Sequence, residues 1–114
     1  MDVAREIEFP APPQEVWAAL TEAEHLEEWF ASDVELDLRP GGEGVFRWTN
    51  GEERRAIVED VQPEERLALR WDDEGEVVFT LEPTETGTRV RVVESSPEWM
   101  TALELHALAW VPAR

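Results

Sequence analysis

The stretch VVFTLEPTETGTRVRVVES, residues 77–95, decides the fold of this chain. Apolar side chains occupy alternate positions on both sides of a turn-like segment, residues 84–87, and arginines alternate with the valines that follow it. A period of two is typical of a β-strand with one buried face, and short polar segments of this kind connect hairpin strands. The stretch therefore predicts two antiparallel strands whose apolar faces point to the same side.

The same alternation recurs upstream and extends the hairpin into a meander. Period-two patterns occupy residues 33–39, 44–48, 56–61 and 67–71, and a short turn separates each from the next. Pro40-Gly41-Gly42 and Asn50-Gly51 are turn signals, since glycine adopts the positive φ of tight hairpins without strain. Together with the pair above, these segments predict six consecutive strands that pair antiparallel with their neighbours.

One strand and two short helices are predicted before the meander. Residues 3–9 alternate like a strand, and the prolines that follow end it. Pro13 suits the first turn of one helix, while Thr21 and Glu24 have the spacing of a capping box at the start of a second helix. The chain is therefore expected to begin with a strand and two helices.

A longer helix is predicted at the end of the chain. Ser96 followed by Pro97 is typical of a helix start, and the helical pattern extends to Val111. Its apolar stripe contains Trp99, Leu103, His106 and Trp110. The predicted fold class is α+β, in the order strand, helix, helix, six-stranded antiparallel meander and helix, with the last helix covering the apolar face of the sheet.

Composition and charge restrict the classes of partner. The 114 residues, 42% of them hydrophobic, suit a single domain spanning residues 1–114. The absence of cysteine excludes disulfides and thiol catalysis. Ten arginines, no lysine and 27 acidic residues give a net charge of −17, which repels nucleic acids and anionic membranes. We expect neither as a partner, and we expect a cytoplasmic location because no signal peptide or apolar span is present.

Four segments together resemble a known family. They are VWAALTEAEHLEEWF (residues 16–30), DLRPGGEGVFRW (37–48), VEDVQPEERLALRW (58–71) and the stretch 77–95. In this order they resemble the START-related helix-grip superfamily (SRPBCC), and within it the carboxy-terminal domain of the activator of the heat-shock-protein-90 ATPase. The resemblance implies a curved antiparallel sheet that grips the carboxy-terminal helix, with a cavity between them that in many relatives holds a lipid, sterol or polyketide.

One segment departs from the pattern of that superfamily. Relatives commonly have a longer connection between the last strand and the final helix, followed by a Gly-Trp pair. Here residues 93–99 pass directly from strand to helix, and Glu98 stands before Trp99 in place of the glycine. A shorter connection implies a cavity that is smaller, shallower or open at one end.

Aromatic residues dominate the predicted inner face. They would form either an aromatic-lined pocket for a flat apolar ligand or a packed core, since each large ring buries about 150–250 Å². The candidate lining residues are Trp29, Phe46, Trp48, Ile57, Trp71, Phe79, Trp99, Leu103, His106 and Trp110.

A few polar residues are candidates for contact with a ligand. His106 would either orient a ligand or form a hydrogen bond in the core. Arg54 and Arg55 are adjacent in one strand, so alternation turns one of them inward unless the pair is simply exposed at the start of the strand. Arg55 beside Ile57 is taken as the polar anchor, with Arg54 as the alternative register. We expect no catalytic residue and no cofactor, since nothing in the sequence places a nucleophile beside His106. We expect no metal, because the two histidines are far apart in the predicted fold and do not make a zinc site.

Three functions fit these residues. The favoured one is a non-catalytic binding protein that holds a small hydrophobic or amphipathic ligand between the sheet and the carboxy-terminal helix. The alternative, implied by the resemblance, is a protein-partner module like the chaperone ATPase activator. The third is a cyclase-like or hydratase-like enzyme, which would need a polar pair in the cavity. We expect a monomer or a weak homodimer.

Overall fold

A computed structural model describes residues 2–72, 75–95 and 98–108, and it confirms the predicted α+β order. The strands are β1 (Val3–Phe9), β2 (Asp33–Leu36), β3 (Glu43–Arg47), β4 (Glu53–Gln62), β5 (Arg66–Trp71), β6 (Glu76–Pro83) and β7 (Thr88–Glu94). The helices are α1 (Pro13–Thr21), α2 (Ala23–Trp29) and α3 (Glu98–Leu108). Seven strands in the described residues form one sheet in the order β1-β7-β6-β5-β4-β3-β2.

All neighbouring strands in this sheet pair antiparallel, and β1 completes it by pairing with β7. In that pair Val3 lies opposite Glu94 and Phe9 lies opposite Thr88. Because β1 and β2 occupy opposite edges, α1 and α2 connect the two edges of the sheet. The first strand therefore comes to lie beside the last strand, next to the start of α3.

The alternation in β6 and β7 builds the core as predicted. Phe79 and Val92 are fully buried, whereas Thr80 and Arg91 beside them face solvent. The same rule in other strands collects the inner face into one apolar cluster, which α1, α2 and α3 cover. Its members include Ile7, Phe9, Val16, Leu20, Leu26, Phe46, Val58, Leu67, Leu69, Trp71, Val77, Phe79, Leu81, Val90, Val92, Trp99 and Leu103.

The outer face of the sheet carries paired charges. Arg47 donates to Asp33, Glu35 and Glu53 at 2.7–2.9 Å, and Arg89 donates to Glu8 at 2.8 Å. Such exposed pairs contribute little to stability, because water and salt screen their charges. They favour the observed strand register, while most of the folding free energy comes from the inner face.

The local signals agree with the structure in the turns but not at the start of α2. Gly41 and Gly51 have φ values of 86° and 90°, as tight turns require. The capping box at Thr21 is wrong, because Thr21 is the last residue of α1 and its hydroxyl donates to the Trp17 carbonyl at 2.8 Å. Only Glu22 separates the two helices, so Thr21 is still part of the first one.

The last helix is described from Glu98 to Leu108, so the predicted start at Ser96-Pro97 and the predicted end at Val111 lie outside the described residues. None of the helices in the part of the chain that the structure describes has the length and apolar character needed to cross a bilayer.

Candidate functional site

The space between the sheet and α3 is filled by Trp99. This residue lies in the first turn of α3, and its side chain is only 1% exposed. Its ring stacks on Phe30 with 3.7 Å between centroids and meets the rings of Phe46 and Phe79 edge-on at 5.4 Å. The space in which the resemblance implies a cavity is therefore occupied by a side chain of the protein itself.

Most of the predicted lining residues join Trp99 in this cluster. Trp71 stacks on Trp99 at 5.8 Å, and Trp29 contacts it edge-on at 5.7 Å while its indole N–H donates to the Ala19 carbonyl. Leu103, one turn further along α3, is fully buried. The residues that the structure brings together are Trp29, Phe46, Trp71, Phe79, Trp99 and Leu103. They pack as a core, which is the second of the two interpretations of the aromatic inner face.

An open pocket of about 470 Å³ lies beside this cluster, between α3 and the β3–β4 hairpin. It opens to solvent, because Glu52, Thr101 and Leu105 in its wall are exposed. Its lining residues are Phe30, Trp48, Glu52, Arg54, Thr101, Ala102 and Leu105. Among the described members of the predicted set, Trp48 alone lines it.

Two elements hold the walls of the pocket in place. The indole N–H of Trp48 donates to the Phe30 carbonyl at 2.8 Å, and the two rings meet edge-on at 5.3 Å. Thr101, Ala102 and Leu105 lie on one flank of α3, because residues four apart in a helix share a face. The pocket thus has the aromatic residues Phe30 and Trp48 on one side and small or aliphatic side chains of α3 on the other.

Arg54, not Arg55, faces the interior. In the pairing of β3 with β4, Arg54 lies opposite Phe46, whose side chain is fully buried on the inner face. The guanidinium carbon of Arg54 lies 4.0 Å from the ring centroid of Trp71, in a cation–π contact. Arg54 also forms part of the pocket wall.

The prediction that Arg55 and Ile57 line the interior is wrong. Alternation along β4 turns both to the outer face, where Ile57 is 36% exposed and Arg55 donates to Glu43 at 2.9 Å. The irregularity in this strand falls between Val58 and Asp60, beyond the two arginines, so regular alternation separates them.

His106 lies on the inner stripe of α3 but outside the pocket wall. It is half-buried and stacks on Trp29 with 5.9 Å between centroids. Burial lowers the pKa of His106 below its usual 6.5, Glu28 opposes this change, and His25 adds to it. The predicted lining residue Trp110 lies outside the described residues. Within the described ranges, no group of three histidine or carboxylate side chains is placed to hold a metal ion.

Replacing His106 by glutamine is expected to remove a pH-dependent contribution to stability. Because the folded state disfavours protonated His106, the unfolded chain binds that proton more readily. The contribution is therefore complete above pH 6.5 and decreases as the pH falls below it. Urea unfolding from pH 7.5 to 5.5 should show the wild type losing stability relative to His106→Gln. His25→Gln is the control that leaves the burial of His106 intact, and parallel curves for the wild type and His106→Gln would contradict this assignment.

Sequence reasoning missed several residues of the site. Glu94 is 1% exposed, and its carboxylate accepts the backbone N–H of Trp99 at 2.8 Å, which ties the end of β7 to the start of α3. A signal was present, since Glu94 continues the alternate buried positions of Val90 and Val92. Thr101 and Leu105 were missed because they flank the apolar stripe of α3 instead of lying on it.

Comparison with known proteins gives a consistent result. A family model described as "Activator of Hsp90 ATPase homolog 1-like protein" matches residues 10–110. Among solved structures, a protein from Mesorhizobium loti is similar at 26% identity and a TM-score of 0.77, over 96% of this chain and 88% of that one. A protein from Nitrosomonas europaea is similar at 28% identity and a TM-score of 0.72, over 96% and 82%.

A solution structure of the Aha1 dimer from Colwellia psychrerythraea shares the fold at 22% identity and a TM-score of 0.76, over 96% of this chain and 89% of that one. No curated protein matches the chain. The family match covers most of the sequence and agrees with the resemblance seen in its four segments. This chain, with its helix-grip fold, therefore belongs to the Activator of Hsp90 ATPase homolog 1-like family.

Proposed function

We propose that this protein binds a small hydrophobic or amphipathic molecule in the open pocket beside α3, without chemistry of its own. The observation that carries the proposal is the pocket itself, whose volume of about 470 Å³ lies within the roughly 300–1,000 Å³ typical of small-molecule sites. Because Trp99 fills the space directly under α3, the proposed ligand lies at the flank of the helix and not between the helix and the centre of the sheet.

The lining of the pocket supports an amphipathic ligand. Phe30, Trp48 and Leu105 offer apolar surface, while Thr101 and Arg54 contribute polar side chains to the wall. Trp48 is held by its hydrogen bond to Phe30, which fixes the aromatic wall and lowers the cost of ordering it on binding. None of the described lining residues is a histidine, the commonest general base.

Filling the pocket with a large side chain tests this function. N-phenyl-1-naphthylamine, a neutral probe whose fluorescence rises in apolar surroundings, should bind the wild type. Ala102→Trp should weaken that binding by about tenfold or more, because the new ring occupies the helix side of the pocket. Leu108→Trp is the matched control, since Leu108 lies on the same helix, is 82% exposed and does not line the pocket.

Thermal melting should show that both tryptophan variants are folded. NMR chemical-shift changes with the wild type should centre on the indole N–H of Trp48. Absence of probe binding, or equal binding by Ala102→Trp and the wild type, would contradict the proposed function.

A protein-partner function is the second candidate, and two exposed leucines on α3 favour it. Leu105 is 64% exposed and Leu108 is 82% exposed, which is unusual for large apolar side chains on a helix. The family description names an activator of the Hsp90 ATPase.

If this chain acts in that way, the wild type should stimulate the ATPase of the cognate chaperone and Leu108→Glu should not. Analytical ultracentrifugation of the same pair would show whether this face supports a weak homodimer. If the wild type does not stimulate the ATPase of the chaperone, the activator function is wrong.

A further inference from the structure

We infer that the ligand of this pocket is a flat apolar amine whose ammonium group is bound between the ring of Trp48 and the carboxylate of Glu52. The inference rests on the proposed function and specifies the ligand class of the same site. It begins with the β3–β4 hairpin, because both residues line the pocket and flank the turn of that hairpin.

Trp48 and Glu52 are neighbours across the hairpin. The ladder of β3 and β4 pairs Arg47 with Glu53. One step closer to the turn, the backbone N–H of Trp48 donates to the carbonyl of Glu52 at 2.9 Å, so these two residues lie opposite each other. Opposite residues in an antiparallel pair point to the same face, with Cβ atoms about 4.5–5.5 Å apart. The indole and the carboxylate are therefore adjacent in the pocket wall.

Both residues are fixed and accessible to a ligand. Trp48 is half-buried, and its indole N–H donates to the Phe30 carbonyl at 2.8 Å. The backbone N–H of Glu52 donates to the Asn50 side chain at 2.9 Å, and the exposed carboxylate forms no ion pair in the part of the chain that the structure describes. The face of an indole attracts a cation, and a carboxylate accepts a charge-assisted hydrogen bond from it. An ammonium group satisfies both residues at once.

The positive charge of Arg54 lies at another part of the same wall. Arg54 is opposite the buried Phe46, and its guanidinium stacks on Trp71 of β5, the strand on the other side of β4 from β3. Arg54 also has a further interaction within the protein, so its charge is engaged there. Glu52 lies two residues closer to the turn and is exposed, so a ligand that enters from solvent meets its charge first.

The overall charge of the protein favours the same ligand class. A net charge of −17 attracts small cations and repels small anions. This field acts over the whole surface and is screened by salt, so it does not by itself place a ligand. The apolar side chains of Phe30, Ala102 and Leu105 supply the missing contact, because they can pack against a flat ring. The pocket therefore suits an aromatic or similarly flat amine better than an inorganic cation.

A matched pair of probes tests the inference. 2-Naphthalenemethylamine and 2-naphthalenemethanol have the same ring system and the same one-carbon arm, but only the amine is charged at neutral pH. Calorimetric titration of the wild type should show the amine binding about fivefold or more tightly than the alcohol. Glu52→Gln should weaken amine binding by about fivefold and change alcohol binding by less than about twofold. Glu85→Gln, at an exposed glutamate outside the pocket wall, makes the same change in net charge and should preserve the preference.

The wild type alone also gives a readout. The side-chain carboxyl resonance of Glu52 should shift on addition of the amine and not on addition of the alcohol. Equal affinity for the two probes, or a preference that survives Glu52→Gln, would overturn the inference while leaving pocket binding intact. Equal losses of amine affinity in Glu52→Gln and Glu85→Gln would overturn it as well, because only the net charge would then attract the amine. If neither N-phenyl-1-naphthylamine nor either naphthalene probe binds, the proposed function itself fails.

Discussion

Trp99→Ala is expected to lower the free energy of unfolding by about 3–5 kcal/mol, which corresponds to a decrease of roughly 15–20 °C in the melting temperature. Trp99 is 1% exposed and lies among the rings of Phe30, Phe46 and Trp71. Truncation to alanine removes these contacts and leaves a cavity that the surrounding rings fill only partly. Urea and thermal unfolding followed by circular dichroism would measure the loss.

Two further variants separate packing from other effects. Trp17→Ala, at a half-buried tryptophan of α1, should lower the free energy of unfolding clearly less than Trp99→Ala does. Trp99→Phe should also cost less, because it keeps a ring and removes an indole N–H that is buried without a hydrogen-bond partner in the described part of the chain. Indole added to Trp99→Ala should raise its melting temperature and leave that of the wild type unchanged. A loss below about 1 kcal/mol in Trp99→Ala would show that Trp99 does not fill the core.

Glu94→Ala is expected to lower the free energy of unfolding by about 2–4 kcal/mol, the second-largest effect. Its carboxylate is buried and accepts the backbone N–H of Trp99 at 2.8 Å. The first N–H groups of a helix have no partner within the helix, so this bond satisfies a donor that would otherwise be buried alone. Because the same bond sets where α3 begins, the variant should also weaken probe binding in the pocket. Chemical denaturation and N-phenyl-1-naphthylamine titration measure the two effects.

The chain offers matched controls for this prediction. Glu82→Ala removes an exposed carboxylate from the outer face, where Glu82 lies 3.9 Å from Arg89, and should change stability by less than about 1 kcal/mol. Glu94→Gln keeps an oxygen that accepts the Trp99 N–H and should retain most of the stability that alanine loses. If Glu94→Ala and Glu82→Ala lower the free energy of unfolding equally, the contact between Glu94 and Trp99 contributes nothing to stability.

The strands were predictable because apolar residues alternate along the sequence with a period of two, which is also the period of side chains along a β-strand. Side chains alternate between the two faces of a strand, so the positions of Phe79, Val90 and Val92 followed directly from the residue types. The same rule placed Glu94 on the inner face, but the chemical type of the residue argued against burial. The start of α3 above it supplies a donor to this buried carboxylate, and the local pattern does not show that contact.

The alternation of side chains does not tell which of two adjacent residues of the same type faces the interior. Arg54 and Arg55 both fit either face as far as their own chemistry is concerned. Their orientation is decided by pairing across the sheet, where Arg54 lies opposite Phe46 and Ala56 lies opposite Trp71. That register depends on turn lengths and on the position of the irregularity after Val58, none of which the two residues encode themselves.

By itself, the sequence determined the α+β order of elements, the charged outer face and an aromatic inner face, because alternation, turn residues and helical spacing are local properties. The tertiary structure decided that Trp99 fills the space under α3, that Arg54 stacks on Trp71, and that the open pocket lies on the flank of the helix. The second of these depends on strand pairing, whereas the first and the third depend on where α3 rests on the sheet. The position of α3 results from packing between residues that are far apart in the chain. Side chains fill the interior almost completely, so a pocket remains only where the packing leaves space.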